Sequence, residues 1–207
     1  MNSGKVWRAA RVVMLGALAM ALMLPGPAAA QFSKSYNFLD HVKKKEGQEV
    51  TDALSEPGTT IINTQDVTTG QTALHIVTER RDATWISFLL GKGADPNMRD
   101  SKGQTPLMVA ANYGFTEGVD LLIKGGARVD EPNSTGETPL ITAVHRRDVA
   151  LMRVLLQAGA NPDRADSAGR SARDYAKLDR GGNLSGEIES NAKKAGAGAA
   201  HSYGPKL

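Results

Sequence analysis

A strict internal period constrains this chain more than any other feature of its sequence. Four equally spaced glycines open similar phrases, GQTALH, GQTPLM, GETPLI and GRSARD, at Gly70, Gly103, Gly136 and Gly169. A second glycine keeps the same spacing and is followed each time by alanine, at Gly93, Gly126 and Gly159. A fixed period of about 33 residues indicates stacked copies of one small unit, because a single unit cannot bury its apolar face alone.

Each period contains two short apolar stretches separated by turn residues, which predicts a helical hairpin. The Thr or Ser after the first glycine can cap the first helix, and proline at the next position suits a helix start. The second glycine stands where a helix ends in the left-handed conformation. Asp100, Asn133 and Asp166 precede a turn glycine by three positions and can close the turn, whereas Asp66 precedes Gly70 by four.

The T-P-L-H-like start and the G-A-D-x-N-like end of each period resemble the ankyrin repeat. The resemblance covers residues 66–180, with a weaker copy upstream, and implies an all-α ankyrin-repeat solenoid of helix-turn-helix units joined by β-turn or hairpin loops. We expect four to five repeats including divergent caps. The predicted units are 67–99, 100–132, 133–165 and 166–190, the last of these a C-terminal cap.

Residues 1–30 have the pattern of a secretory signal peptide. Lys5, Arg8 and Arg11 precede a short apolar run, Val12 to Leu24, and the small residues Ala28 to Ala30 follow a proline pair. The alternative, a membrane anchor, is less favoured because a span normally needs about 20 apolar residues. We therefore predict cleavage after Ala30 and export to a bacterial periplasm, with full secretion as the alternative, and no membrane attachment after cleavage.

Charge and cysteine content exclude several function classes. The chain has 25 basic and 22 acidic residues, and loss of the three basic residues in segment 1–30 leaves equal numbers. A nucleic-acid-binding protein is expected to keep a basic surplus, so no nucleic-acid partner is predicted. The absence of cysteine excludes disulfides and thiolate chemistry and suits an exported protein.

Both ends of the repeat array diverge from the pattern, as expected for caps with a polar outer face. Residues 31–66 read as an N-terminal divergent repeat, with a loose lead-in to Ser35 and a lysine run at Lys43–Lys45. A solvated cap face is the favoured interpretation of that run, and a docking patch is the alternative. Residues 191–207 are rich in Ala, Gly and Lys, and they predict a disordered tail.

The sequence contains no recognisable catalytic constellation. Its four histidines lack metal-ligand spacing, and no nucleophile-elbow or phosphate-loop motif is present. His75 ends a T-A-L-H phrase, and the ankyrin resemblance implies a structural hydrogen bond between repeats for it. We therefore expect a non-enzymatic protein with no cofactor and no metal.

The resemblance implies a binding face made from the turn tips and the inner helices. Carried over by phase, the predicted protein-binding positions are Arg80, Arg99, Lys102, Gln104, Asn112, Tyr113, Glu137, His145 and Arg146. Tyr113 is flanked in phase by Arg80 and Arg146, and Tyr and Arg are enriched at binding hot spots. We hypothesise that this row grips an acidic or carboxylate-bearing segment of a partner. The alternative is a solvated groove without a partner.

The leading functional hypothesis is a periplasmic scaffold or adaptor that binds another protein and is itself a monomer. A second hypothesis is an auxiliary factor that protects or assembles an envelope or stress-defence enzyme. A third is an immunity protein that neutralises an exported toxin. A hydrolase ranks last.

Overall fold

The computed structural model describes residues 27–198, with side chains from Lys34 to Asn191. The predicted signal peptide therefore lies largely outside the described residues, as do residues 199–207. The described chain consists of ten helices and one short 3-10 helix. The helices are α1 (Pro27–Lys44), α2 (Gly47–Ser55), α3 (Ala73–Glu79), α4 (Ala83–Gly91), α5 (Pro106–Asn112), α6 (Thr116–Lys124), α7 (Pro139–His145), α8 (Val149–Gln157), α9 (Ala172–Lys177) and α10 (Asn183–Gly198).

The helices stack in two layers, as an all-α solenoid requires. The inner layer is α1, α3, α5, α7 and α9, and successive members contact one another. The outer layer contains α4, α6, α8 and α10 in the same order. Between residues 27 and 198 the only β-type pairing is an isolated bridge from Ala165 to Ser171. The predicted fold class is confirmed.

Small and branched side chains fill the space between the layers. Ala110, Ala111 and Ala143 are completely buried, and their size allows neighbouring inner helices to approach closely. Leu89, Leu122 and Leu155, each four positions before a repeating glycine, are also completely buried on the outer helices. One continuous core therefore runs the length of the array.

Capping and turn chemistry define the helix ends. The hydroxyl oxygens of Thr105, Thr138 and Ser171 accept hydrogen bonds from the backbone N–H three positions on. Gly93, Gly126 and Gly159 have φ values of 88°, 94° and 90°, the left-handed conformation expected after an outer helix. Each of these two signals occurs in three of the four units, so the helix ends follow the period of the sequence.

Two predictions at the ends of the array need correction. Helix α1 begins at Pro27 and is continuous to Lys44, so residues 31–35 are not a loose lead-in. Helix α10 continues past Asn191 to Gly198, so residues 191–198 are not a disordered tail. The buried Asn191 amide donates to the Glu187 backbone carbonyl at 2.9 Å, and the following Ala and Lys residues favour extension of an existing helix.

The divergent C-terminal unit closes the core with charge pairs. Arg173 replaces the leucine of the other repeats, and its Nε lies 2.7 Å from Asp163 Oδ1. Its guanidinium also pairs with Glu189 of α10. Leu184 and Ile188 form the buried stripe of that helix. The last unit thus ends the apolar core with Leu184 and Ile188, and it carries the ion pairs of Arg173 in addition.

Candidate functional site

The four turns between repeats form a continuous ladder along one edge of the molecule. We refer to these segments, 66–71, 100–104, 133–137 and 166–170, as the turn ladder. Each turn after the first donates one backbone hydrogen bond to the turn before it: Ser101 N to Thr69 O at 2.9 Å, Ser134 N to Lys102 O at 3.3 Å, and Ser167 N to Thr135 O at 3.0 Å. The turn tips are therefore held at a fixed spacing, which gives a binding surface little entropy to lose.

Inside each turn, one acidic or amide side chain organises the backbone. Asp100 Oδ1 accepts from the N–H groups of Lys102 and Gln104 at 2.9 and 2.8 Å. Asn133 and Asp166 do the same two and four positions on, as the sequence predicted. This Asx-type closure explains why the position takes Asp or Asn.

The first turn has one additional residue, and this residue changes how the ladder ends. Thr68, which corresponds to Ser101 when counted back from the glycine, has no preceding turn to bond. Its N–H and that of Thr69 both donate to Asp66 Oδ1 at 3.0 Å. Asp66 Oδ2 also lies 3.1 Å from Lys43 Nζ of α1. The N-terminal end of the ladder is therefore capped by its own side chain.

Asp66 gives a first testable prediction. The Thr69 N–H, the Lys43 ammonium and the Thr68 N–H together lower the pKa of this carboxyl to about 2. Because the pKa is below its unfolded value of 3.8, the ionised carboxylate stabilises the fold above about pH 4, and this stability is lost as pH falls toward 2. Asp66→Asn, which keeps the turn acceptor as Asn133 does, is expected to lose about 1 kcal/mol near pH 7. Asp66→Ala is expected to lose about 2 kcal/mol.

Urea unfolding followed by circular dichroism at pH 7 and pH 2.5 measures these differences. The gap between wild type and Asp66→Asn should narrow at the lower pH. A gap that stays constant with pH would show that the Asp66 charge does not stabilise the first turn.

His75 links the first turn unit to the second. The side chain is completely buried, and its Nε2 lies 2.9 Å from the Gln104 carbonyl oxygen. Because a carbonyl only accepts, Nε2 carries the proton and Nδ1 accepts from the Thr72 N–H at 3.1 Å. Burial lowers the pKa of His75, which keeps the ring neutral. The structural role that the resemblance implied for His75 is therefore confirmed.

The inner helices α3, α5 and α7 end beside the turn ladder. Because stacked repeats curve, we call this surface of turn tips and inner-helix ends the concave face. In two of the repeats a residue from the turn reaches a residue at the end of the inner helix. Gln71 Nε2 donates to Glu79 Oε1 at 2.6 Å, and His145 Nδ1 lies 3.2 Å from Glu137 Oε1. These pairs hold the lining side chains in place across the face.

The predicted turn-tip residues occupy different environments. Lys102 is exposed at its tip, and Gln104 and Glu137 are half-buried at the base of theirs. Glu137 Oε1 also accepts from the Thr142 hydroxyl at 3.0 Å. Arg99 is exposed but bridges repeats, because its guanidinium donates to the Gly103 carbonyl at 2.9 Å and pairs with Glu131. Of this group Lys102 is the best placed for a partner.

The residues of the predicted row, Arg80, Tyr113 and Arg146, differ in exposure and in partners. The side chain of Arg80 is only 18% exposed, and its Nη1 donates to the Val42 carbonyl at 2.8 Å. Its guanidinium also lies 5.4 Å from the centre of the Trp85 ring. Arg146 is exposed, yet its Nη1 donates to the Asn112 carbonyl at 2.8 Å. Both arginines act first as links between repeats.

Tyr113 remains the prominent side chain of that row. It is 48% exposed at the end of α5, next to the half-buried Asn112. His145, in phase with Asn112, is exposed and packs edge-on against Tyr175, with ring centres 4.4 Å apart. The structure therefore brings Asn112, Tyr113 and His145 to the same line of inner-helix ends.

Sequence reasoning missed three exposed apolar residues at the two ends of the array. Leu178 is 66% exposed and lies one full period after His145. Tyr36 and Val67 are 63% and 77% exposed near the first turn. The phase rule could have identified Leu178, whereas Tyr36 and Val67 lie where the pattern fails.

The lysine run is a paired cap face in the structure. Lys43 pairs with Asp66 at 3.1 Å, Lys44 with Asp40 at 2.7 Å, and Lys45 Nζ lies 3.9 Å from Asp82 Oδ2. These three pairs join α1 to itself, to the first turn and to the start of α4. Because all three lysines are paired, they do not form a free cluster of positive charge that would support the docking-patch alternative.

Within 27–198, no group of three or more histidine, aspartate or glutamate side chains is arranged to hold a metal ion. No helix in this range is long and apolar enough to cross a membrane.

Stacked helix pairs joined by a hydrogen-bonded turn ladder, with a concave face beside it, define a repeat solenoid of the protein-binding class. The family profile described as "Ankyrin repeats (3 copies)" matches residues 29–133 and 75–166. The chain belongs to the ankyrin repeat family. Its repeats form a protein–protein interaction module, and this fold is typically a non-enzymatic scaffold.

Two curated relatives from Oryza sativa subsp. japonica share this unit. They are the BTB/POZ domain and ankyrin repeat-containing proteins NH5.2 and NH5.1, each 42% identical over 59 residues. The match covers 28% of this chain and 12% of each relative. The aligned part is thus a small fraction of the rice proteins and is shorter than two repeats.

Proposed function

We propose that this protein is a non-enzymatic adaptor of the bacterial periplasm that binds another protein through the centre of its concave face. The observation that carries the proposal is Tyr113, a half-exposed aromatic side chain on the middle repeat. It stands near Asn112, with Lys102 exposed on the turn of the same repeat. Tyrosine is enriched at binding hot spots because it contributes a large contact area and a hydroxyl group.

The rigidity around Tyr113 supports this choice. The backbone of its repeat is bonded to the turns on both sides, through Ser101 to Thr69 and through Lys102 to Ser134. Arg146 of the next repeat donates to the carbonyl of Asn112. A partner that contacts Tyr113 therefore meets a surface that is already ordered, so association costs little conformational entropy.

The proposed location follows from the N-terminal sequence pattern and the absence of cysteine. Cell fractionation followed by mass spectrometry of the N-terminus tests it. A periplasmic protein beginning at Gln31 is expected. An intact Met1 in the cytoplasmic fraction would contradict export.

The binding function is tested by recovery of partners from a periplasmic extract. The bait is the full chain with a C-terminal tag, produced so that the host processes it. The variant Lys102→Ala/Tyr113→Ala is expected to lose the partner. Arg80 and Arg146 are left unchanged, because removing their links between repeats would weaken the fold as well as the surface.

A matched control lies on the outer helices. Ser87→Ala/Lys124→Ala removes the same number of exposed side chains from the opposite layer, where Lys124 pairs with Asp120 on its own helix. The control should recover the partner as wild type does. Equal recovery by both variants would move the binding site away from Tyr113, and no specific recovery by wild type would remove the support for an adaptor.

The identity of the recovered protein separates the remaining alternatives. An envelope or stress-defence enzyme whose stability or assembly depends on this chain would favour the auxiliary-factor hypothesis. An exported toxin whose activity is blocked in the complex would favour the immunity hypothesis.

A further inference from the structure

The additional residue of the first turn places an apolar side chain in solvent. The other three turns read Asp or Asn, Ser, any residue and Gly, whereas the first reads Asp66, Val67, Thr68, Thr69 and Gly70. Counted back from the glycine, Val67 stands where the other three turns have Asp or Asn, and it is 77% exposed. Val67 therefore contributes little to the core.

Val67 lines a groove together with a second exposed apolar residue. Helix α1 forms one wall, with Tyr36 63% exposed, and residues 64–68 form the other. Leu39, which is buried in the core, also lines the groove. Its volume is about 460 Å³, within the range of about 300–1,000 Å³ typical of ligand pockets. Two of the exposed large apolar residues thus line a single cavity.

The charges around this groove are already paired with one another. Lys43 and Asp66 both line it and lie 3.1 Å apart, and Asp40 pairs with Lys44 at 2.7 Å. A charged occupant would have to compete with these pairs and lose hydration. An uncharged occupant leaves both pairs intact, so the electrostatics of the groove favour a neutral segment.

Several backbone N–H groups of the first turn are already bonded within that turn. The N–H groups of Thr68 and Thr69 both donate to Asp66, and Gly70 N–H donates to the Asp66 carbonyl at 2.8 Å. A peptide therefore gains its contacts here by inserting a side chain between Tyr36 and Val67.

We propose that this groove is an anchor pocket that receives an apolar side chain, aromatic or branched aliphatic, from an uncharged segment of the protein partner. It lies at the N-terminal end of the array, between α1 and the first turn. The proposal rests on the proposed protein-binding function and adds a second contact region with its own chemistry, separate from Tyr113.

Peptide titration of the isotope-labelled full chain, followed by NMR, tests the anchor pocket directly. The probe is a blocked neutral hexapeptide with a central Phe-Leu pair flanked by Ala and Gly. Two comparison peptides replace the flanking alanines by Asp or by Lys. We expect saturable shifts of the Tyr36, Leu39, Val67 and Thr68 signals with the neutral peptide, and weaker binding by both charged peptides.

Two matched variants locate the site. Tyr36→Ser/Val67→Ser removes the exposed walls and is expected to weaken neutral-peptide binding about tenfold or more. Leu178→Ser removes an exposed apolar side chain at the opposite end of the array and should leave peptide binding unchanged. Because all three side chains are exposed, both variants should unfold at the wild-type temperature, which is measured for each.

Several outcomes would overturn the proposal. These are the absence of saturable shifts at the groove, equal binding by a charged peptide, and loss of binding in the Leu178→Ser variant alone. Concentration-dependent shifts of the free protein that vanish in Tyr36→Ser/Val67→Ser would instead identify a second copy as the occupant. Partner recovery that is lost with Tyr113 but unaffected by the groove variant would reject the anchor pocket and leave the adaptor function standing.

Discussion

Replacing Gly136 by alanine is expected to destabilise the protein by about 3 kcal/mol or more. The residue has a φ of 79°, a conformation that alanine adopts only with strain. A methyl group there would also lie 2.7 Å from the backbone nitrogen of Ser167 and 3.1 Å from the Asp166 carbonyl carbon. Since these are backbone atoms, the neighbouring turn would have to move and the Ser167 ladder bond would weaken.

Gly169 provides the matched control for this experiment. It occupies the same turn position with a φ of 74°, but no atom lies within 4 Å of an added methyl group. Gly169→Ala should therefore show only the conformational cost, about 1 kcal/mol. Urea unfolding measures both variants. Equal losses would mean that turn-to-turn packing does not contribute, and that the glycine period reflects backbone conformation alone.

The remaining turn glycines predict a graded series. A methyl group on Gly70 would lie 2.6 Å from Ser101 N, and one on Gly103 would lie 3.0 Å from Ser134 N. The expected order of destabilisation is therefore Gly70 and Gly136 first, Gly103 next and Gly169 last.

His75→Ala is expected to have the second large effect, a loss of about 3 kcal/mol near pH 7. The change leaves a cavity in the core and removes the bonds from Thr72 and to Gln104. His75→Met is the control for volume, because Met108 occupies the same position in the next repeat and is completely buried. We expect His75→Met to lose less free energy of unfolding than His75→Ala. The difference between the two losses measures the contribution of side-chain packing.

The pH dependence of His75 separates hydrogen bonding from packing. Burial lowers the folded pKa below the unfolded value of 6.5, so the stabilising neutral form is fully present above about pH 6.5. Stability is lost as pH falls below that value, because the unfolded chain takes up the proton first. The urea midpoint of unfolding should fall between pH 7.5 and pH 5, and this fall should be larger for wild type than for His75→Met. The same fall in both would argue against a buried neutral histidine.

Most of the fold could be predicted because its determinants are local and repeated. The N-cap hydroxyls, the left-handed glycines and the Asp or Asn of each turn need only a few neighbouring residues, and each signal occurs several times. His75 was also predictable, since its phase places it beside the next turn.

The part of the site that was not predictable depends on residues outside the repeat pattern. Arg80 has the phase of Tyr113, but its partner is the carbonyl of Val42 in a divergent helix pair. The register of that pair relative to the array is not encoded by any period. The same reason applies to the groove at Tyr36 and Val67, whose walls come from a helix and a turn that both depart from the pattern.

The capped first turn makes the two ends of the turn ladder different. Each of the first three turns supplies a carbonyl to its successor, and Ala168, which holds the position of Thr135 in the last turn, meets no further turn in the described part of the chain. At the other end Asp66 already occupies the N–H of Thr68. Duplication of one repeat unit is therefore compatible with the middle of the array, whereas a further turn ahead of Asp66 would find the N–H of Thr68 already bonded. The additional residue of the first turn thus makes the turn ladder extendable at one end and closed at the other.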